Sequence, residues 1–218
     1  SGLGKTTLAE IIAKERDRPL IKLMGPRIKD ISSFDILKDI AHWTFIFIDE
    51  VHALPTKIEE ALYEPMDNFK WDGKDIRPFT LIGATTKEGL LSKPLRSRFT
   101  ICETLTFYTE EELCRIIERS ATILRLHINS EAATVVAKRS RGTARLANQL
   151  LKRVSYYGSD ITVDLAVKAL DSLGVDGKGL EELDRSLLTT VCKEFDGGPV
   201  GLDSLASVID EDITTIEA

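Results

Sequence analysis

The sequence predicts an α/β domain built on a parallel sheet, followed by an all-helical domain. Two observations carry the first half: short apolar strands alternate with helical periodicity, and each strand ends in polar residues. A third carries the second half. After about Tyr108 helical patterns succeed one another with no strand between them.

Residues 1–18 run from a glycine-rich turn into a helix with Leu8, Ile11, Ile12 and Glu15 at helical spacing, and Pro19 follows it. A strand is expected over Leu20 to Met24, punctuated by Gly25-Pro26. Ser32 or Ser33 caps a short helix through Ile40. Thr44 to Ile48, all apolar or β-branched, reads as a buried strand ending in Asp49-Glu50. A helix from about Thr56 to Phe69, a turn at Asp72-Gly73 and a strand from Phe79 to Ile82 complete the first domain. Thr109 and Glu112 form a capping box for the next helix. Further helices start at Ser130, at Gly142-Thr143 and at Thr162. Gly177 and Gly179 mark a linker, Leu180 to Phe195 is helical, and the sharp turn Asp196 to Gly201 enters one more helix from Leu202 to about Ile209. Trp43, Trp71, Met24 and Met66 are read as packing residues, and His42, His52 and His127 lack the spacing of a metal site or triad.

Composition narrows the class. Of 218 residues, 43% are apolar and 29% charged, the mix of a globular chain rather than a disordered one. No apolar run approaches the roughly 18 residues a membrane span needs. Cys102, Cys114 and Cys192 are odd in number and widely spaced, against a disulfide framework or zinc site. A reducing, cytoplasmic setting is expected. The net charge of −6 hides a basic run, Lys138, Arg139, Arg141, Arg145, Lys152 and Arg153, which reads either as a solvated face or as a phosphate-binding surface.

Three strand or helix ends carry chemistry. Ser1-Gly2-Leu3-Gly4-Lys5-Thr6-Thr7 is the latter part of G-x-x-x-x-G-K-[ST], whose leading glycine would precede Ser1, so the sequence is expected to begin inside a longer chain. Such a loop needs glycines so that backbone N–H groups can face phosphate oxygens at a helix N-terminus. Lys5 supplies charge to the β/γ-phosphates and the Thr6 hydroxyl a ligand for Mg²⁺. About 45 residues on, Thr44–Glu50 delivers Asp49 to the metal and Glu50 to an attacking water, as general base. Phe79–Thr86 ends in hydroxyls at Thr85 and Thr86. Pro94-Leu-Arg96-Ser-Arg98-Phe99 and Arg141-Gly-Thr-Ala-Arg145 add arginines further along.

The ordered set of the phosphate loop, Phe-Ile-Asp-Glu-Val-His, Thr-Leu-Ile-Gly-Ala-Thr-Thr, Pro-Leu-Arg-Ser-Arg-Phe, Lys-Arg-Ser-Arg-Gly-Thr-Ala-Arg and Gly-Gly-Pro-Val-Gly-Leu-Asp resembles the RuvB family. Its members are AAA+ ATPases that drive branch migration of Holliday junctions in homologous recombination and DNA repair. The resemblance spans essentially the whole chain. It implies an AAA+ P-loop domain over 1–106, an all-helical lid over 107–176 and the first part of a winged helix over 177–218. It implies ATP and Mg²⁺, four-way or duplex DNA as partner, and a homohexameric ring. By position, Gly2, Gly4, Lys5, Thr6 and Thr7 match the nucleotide loop, and Asp49 and Glu50 the acids that hold metal and activate water. Thr86 matches the γ-phosphate sensor, Arg98 the arginine finger acting on a neighbour's nucleotide, and Arg145 a second sensor on the lid. Tyr108, and Asp67, Asn68 and Phe69, match residues lining the nucleotide site.

Departures from the family are Ala144 in place of Pro, Ala53 in place of Arg, and a segment Lys70–Pro78 too short for two full strands of the hairpin that engages RuvA. That argues against a RuvA-type partner. The family's later DNA-contacting arginines fall beyond Ala218. The alternative class is a nucleotide-switched binding or remodelling module, clamp-loader-like or independent of RuvA.

Overall fold

In the computed structural model, which describes residues 2–216, helix α1 (Lys5–Glu15) leads into strand β1 (Leu20–Met24). Strand β2 (Thr44–Asp49) and helix α2 (Thr56–Asn68) follow. A minimal hairpin, β3 (Lys70–Trp71) with β4 (Lys74–Asp75), precedes β5 (Phe79–Gly83) and the short helix α3 (Lys93–Arg98). Strands β1, β2 and β5 form one parallel sheet in that order, Leu20 to Met24 facing Phe45 to Asp49 and Thr44 to Ile48 facing Phe79 to Gly83. The central position of β2 explains its unbroken apolar run: Ile46, Phe47 and Ile48 are all buried. Because all three strands run the same way, Met24, Asp49 and Gly83 end side by side.

One face of this sheet packs Phe34, Leu37, Ile58, Leu62 and Leu95 against Ile46 and Ile48. On the other, Ala9 meets Phe47 and Ala84. The buried stripe of α1 is therefore Ala9 and Ala13, while Leu8 and Ile11 are exposed, contrary to the expectation from periodicity. Small side chains let the helix backbone lie close to the sheet, which large ones would hold away. Two other local expectations shift. Asp30, not a serine, caps the segment Ile31–Lys38 by accepting the Ser32 N–H at 3.0 Å, and that segment winds as 3₁₀ helix. Trp71 is buried and its indole N–H donates to Asp35 at 3.1 Å, whereas Trp43 and Met24 are exposed.

The second unit begins at Phe107. Helix α4 (Glu110–Leu124) starts with the Thr109–Glu112 capping box, both reciprocal bonds present. Then come strand β6 (His127–Ile128), α5 (Ser130–Lys138), α6 (Ala144–Ser155), strand β7 (Asp160–Ile161) and α7 (Val163–Ser172). Asn129, Thr143 and Thr162 each cap the helix that follows. The β6–β7 pair is parallel and two residues long, so the expectation of helices without strands is corrected. Runs this short carry no period for a sequence to display. Leu113, Ile117, Val136, Leu150, Leu151 and Leu170 form a closed core.

Helices α8 (Glu182–Glu194) and α9 (Leu202–Ile209) belong to the same unit. The basic run of α5 and α6 explains part of this. Arg139 pairs with Asp171 at 2.6 Å and donates to the Val175 carbonyl, Arg153 pairs with Glu181 at 2.8 Å, and Arg141 holds Asp184 and the Gly179 carbonyl. Three of these arginines thus form a seam with the acidic stretch 171–184. Gly179 (φ +80°) passes against the Arg139 backbone, where a Cβ would collide.

Candidate active site

The phosphate loop is set by two left-handed glycines, Gly2 (φ +83°) and Gly4 (φ +86°), the latter at the N-cap of α1. Lys5, Thr6 and Thr7 form the first turn. No acidic residue occupies that turn, so the helix N-terminus keeps its full preference for an anion. The Pro19 carbonyl, after α1, accepts the Phe45 N–H at the start of β2, and Ala9 packs with Phe47 and with Ala84 past the end of β5, so α1 runs antiparallel to the strands with its N-terminus toward their carboxyl ends.

Asp49 closes β2, and one carboxylate oxygen accepts the Glu50 N–H at 3.1 Å. Glu50 then adopts a left-handed conformation (φ 50°, ψ 51°), which costs a non-glycine residue about 1–2 kcal/mol. The surrounding backbone enforces it. Ala84 N–H donates to Ile48 O, Val51 N–H to Ala84 O and Ala53 N–H to Glu50 O, each at 2.9 Å. This kink turns the Glu50 side chain toward the end of β5. Its Oε2 accepts the Thr86 N–H at 3.2 Å and the Thr86 hydroxyl at 3.0 Å.

Two neighbours of this cluster carried no decisive sequence signal. The His52 Nδ1 lies 3.2 Å from the same Glu50 oxygen and 2.7 Å from the Thr85 hydroxyl. Gly25, after β1, packs against the backbone of Asp49 and Glu50, so closely that a Cβ would overlap the Glu50 carbonyl. Gly25-Pro26 read only as punctuation, because a tertiary close approach has no local signature.

Asp67, Asn68 and Phe69 lie elsewhere in this unit. Helix α2 also runs antiparallel to the strands, so its end returns to the start of β5, where the rings of Phe69 and Phe79 are 5.9 Å apart. Arg98 is there too: Nε and one terminal nitrogen donate to Asp67 Oδ2 at 3.0 and 2.9 Å, and its guanidinium lies 4.0 Å above the Tyr63 ring. Arg96 instead pairs with Glu88 at 2.6 Å. In the second unit, the Tyr108 N–H donates to the Gly142 carbonyl at 2.9 Å, setting Tyr108 beside the loop from which α6 and Arg145 start.

Profiles of known families match the chain end to end: the Holliday junction DNA helicase RuvB P-loop domain over residues 1–105, the RuvB AAA lid domain over 108–176 and the RuvB C-terminal winged helix domain over 177–218. A solved single-residue variant of Thermotoga maritima RuvB shares 44% identity and a TM-score of 0.89, over 98% of this chain and 74% of that one. This chain belongs to the RuvB family. A second Thermotoga maritima structure, described as the RuvB Holliday junction branch migration motor, shares 43% identity with a TM-score of 0.89, over 99% of this chain and 74% of that one. The FIGL-1 AAA domain in complex with ADP, at 14% identity and TM-score 0.63 over 89% of this chain and 75% of that one, is alike in fold alone. A RuvB P-loop domain is a nucleotide-binding domain. No helix among the described residues is long and apolar enough to cross a membrane.

Proposed function

We propose that this RuvB-family chain is an ATP-hydrolysing DNA motor that drives branch migration at four-way junctions. The observation that carries the reading is the convergence at one end of the sheet of an anion-binding helix terminus, an acidic pair and a hydroxyl bonded to the second acid. Gly2, Gly4, Lys5, Thr6 and Thr7 hold the triphosphate of ATP. Thr6 and Asp49 supply oxygen ligands, and no cluster of three or more His, Cys, Asp or Glu able to hold a metal occurs among the described residues. Two protein oxygens, with phosphate and water completing the shell, suit Mg²⁺. The ion, when bound, neutralises charge developing on the phosphates.

Glu50 takes a proton from the water whose oxygen attacks the γ-phosphorus, and ADP leaves. The bond from Thr86 to Glu50 ties the γ-phosphate sensor to that base, so loss of the phosphate is felt at both. Arg98, with Asp67, Asn68 and Phe69 beside it, acts on the nucleotide of a neighbouring subunit in a homohexameric ring. Arg145 and Tyr108 report the nucleotide state to the lid. We assign residues 1–106 to the ATPase domain, 107–176 to the lid and 177–218 to the winged-helix domain that engages duplex DNA, in a cytoplasmic protein. The β3–β4 hairpin, two residues per strand, offers a RuvA-type partner little surface.

The test is steady-state ATP hydrolysis with and without a synthetic four-way junction. Stimulation by the junction, abolished by Lys5→Ala, is expected. Hydrolysis indifferent to any DNA would sink the motor reading in favour of a nucleotide-switched remodelling module, which family membership does not favour.

A further inference from the structure

One stripe of α2 carries Glu59, Tyr63 and Asp67, four residues apart and therefore on one face. All three converge on α3. Glu59 is 9% exposed, and a single oxygen, Oε1, accepts both the Tyr63 hydroxyl, at 2.5 Å, and the hydroxyl of Ser92, the N-cap of α3. The buried carboxylate thus anchors the start of α3 and the ring of Tyr63 together. At the other end of α3, the Arg98 guanidinium sits 4.0 Å over that ring and donates to Asp67, while its remaining terminal nitrogen donates to the Pro94 carbonyl at 2.9 Å. Burial, then the Glu59 carboxylate, pushes the Tyr63 phenol above its ordinary pKa, so it remains a donor to Glu59 throughout the neutral range.

An arginine is long and rotamer-rich, and a finger that had to be ordered at the moment of reaction would lose rate for it. We infer that Tyr63, clamped by Glu59, is a positioning residue for Arg98: its ring face holds the guanidinium in one orientation, so that each subunit presents a preformed finger to its neighbour's nucleotide. This rests on Arg98 being the finger. Tyr63 acts through Arg98, whose guanidinium lies over its ring.

The experiment compares Tyr63→Leu, Tyr63→Phe and Arg98→Ala, singly and combined, in the full-length protein, reading kcat, KM and the affinity for a fluorescent ATP analogue. Tyr63→Leu lowers kcat about 10- to 100-fold at unchanged nucleotide affinity, the scale of a mispositioned catalytic group. Tyr63→Phe, which keeps the ring face, restores kcat to within about threefold. In the Arg98→Ala background Tyr63→Leu changes the residual turnover less than about twofold, because the two residues act as a unit. A purely structural Tyr63 would lower the residual rate as much as it lowers the parent's, and that result overturns the inference. So does a Phe variant as impaired as the Leu variant. Where Tyr63→Leu does not fold, Tyr63→Met, which fills the space without a ring face, takes its place: kcat falls at unchanged affinity, and undiminished kcat refutes the inference. Full turnover by Arg98→Ala would remove the finger reading itself, whereas a dead Arg98→Ala beside a fully active Tyr63→Leu removes only the positioning role.

Discussion

Gly25→Ala is the sharpest probe of the hydrolytic turn. Gly25 needs no left-handed conformation; what excludes a side chain is the backbone in front of it. An added Cβ would stand 3.1 Å from the Glu50 carbonyl carbon and 3.3 Å from the Asp49 oxygen, and closer still to the Glu50 oxygen. Carbon–carbon contacts rest at about 3.5–4.0 Å, so the Glu50 backbone must retreat by roughly 0.5–1 Å. That displaces a residue already in a strained conformation and loosens its bonds to Thr86. A shift of this size at a reacting group costs up to about 100-fold, so kcat should fall about 10- to 100-fold. Overpacking adds about 1–3 kcal/mol of destabilisation. Nucleotide affinity should change little, because Lys5 and Thr6 sit on a different element. The assay is kcat and KM with a binding isotherm and Tm, beside Gly89→Ala, where an added Cβ meets nothing within 4 Å. A folded Gly25→Ala protein with the parent's kcat would refute the reasoning that this approach fixes Glu50. Equal losses in both variants would show that the effect is not local.

Three further outcomes are expected. Glu50→Gln should bind nucleotide normally and lose about 10²–10⁴-fold in kcat, as a general base does; a loss of binding instead would place Glu50 in nucleotide retention. Thr109→Ala removes the half of the capping box at α4 in which the Thr109 hydroxyl accepts the Glu112 N–H, and should cost about 1 kcal/mol in the second unit, read from its thermal unfolding; no change in Tm would argue that the cap is idle. The Lys38 ammonium, then the Trp71 indole N–H, hold the Asp35 carboxyl below the usual carboxylate range. A depressed folded-state pKa stabilises above the unfolded value, about 3.9, and that contribution disappears as pH falls through the lower folded value. The Tm gap between parent and Asp35→Asn should therefore close as pH falls from neutral to below the unfolded value, and a gap that widens there would contradict it.

The strands and helices were legible because their signals are local. The Thr44–Ile48 run is apolar because β2 is central, and the Thr109–Glu112 box and Gly4-Lys5-Thr6 carry their chemistry in adjacent residues. The β6–β7 pair was not legible, nor was the choice of Ala9 and Ala13 over Leu8 and Ile11 as the buried stripe of α1. Both depend on what lies opposite, which no window of sequence contains. The basic run of α5 and α6 shows the same limit. Its charge was plain, but its use as a seam against 171–184 depends on partners 28 to 43 residues away.

For the site, the amino-acid sequence by itself determined which groups are present: a glycine-rich helix start with Lys5 and Thr6, the acids Asp49 and Glu50, and the hydroxyls of Thr85 and Thr86, each at a strand or helix end. Tertiary structure alone decided the geometry. Parallel strand order brings Asp49 and Gly83 side by side, the kink at Glu50 swings its carboxylate onto Thr86, and Gly25 leaves room for that kink. The same packing sends Arg98 onto Tyr63 and Asp67 at the far end of α2. Motifs encode which groups are present, because side-chain chemistry is local. Distances between groups tens of residues apart are set by strand pairing and helix packing, which exist only in the folded chain.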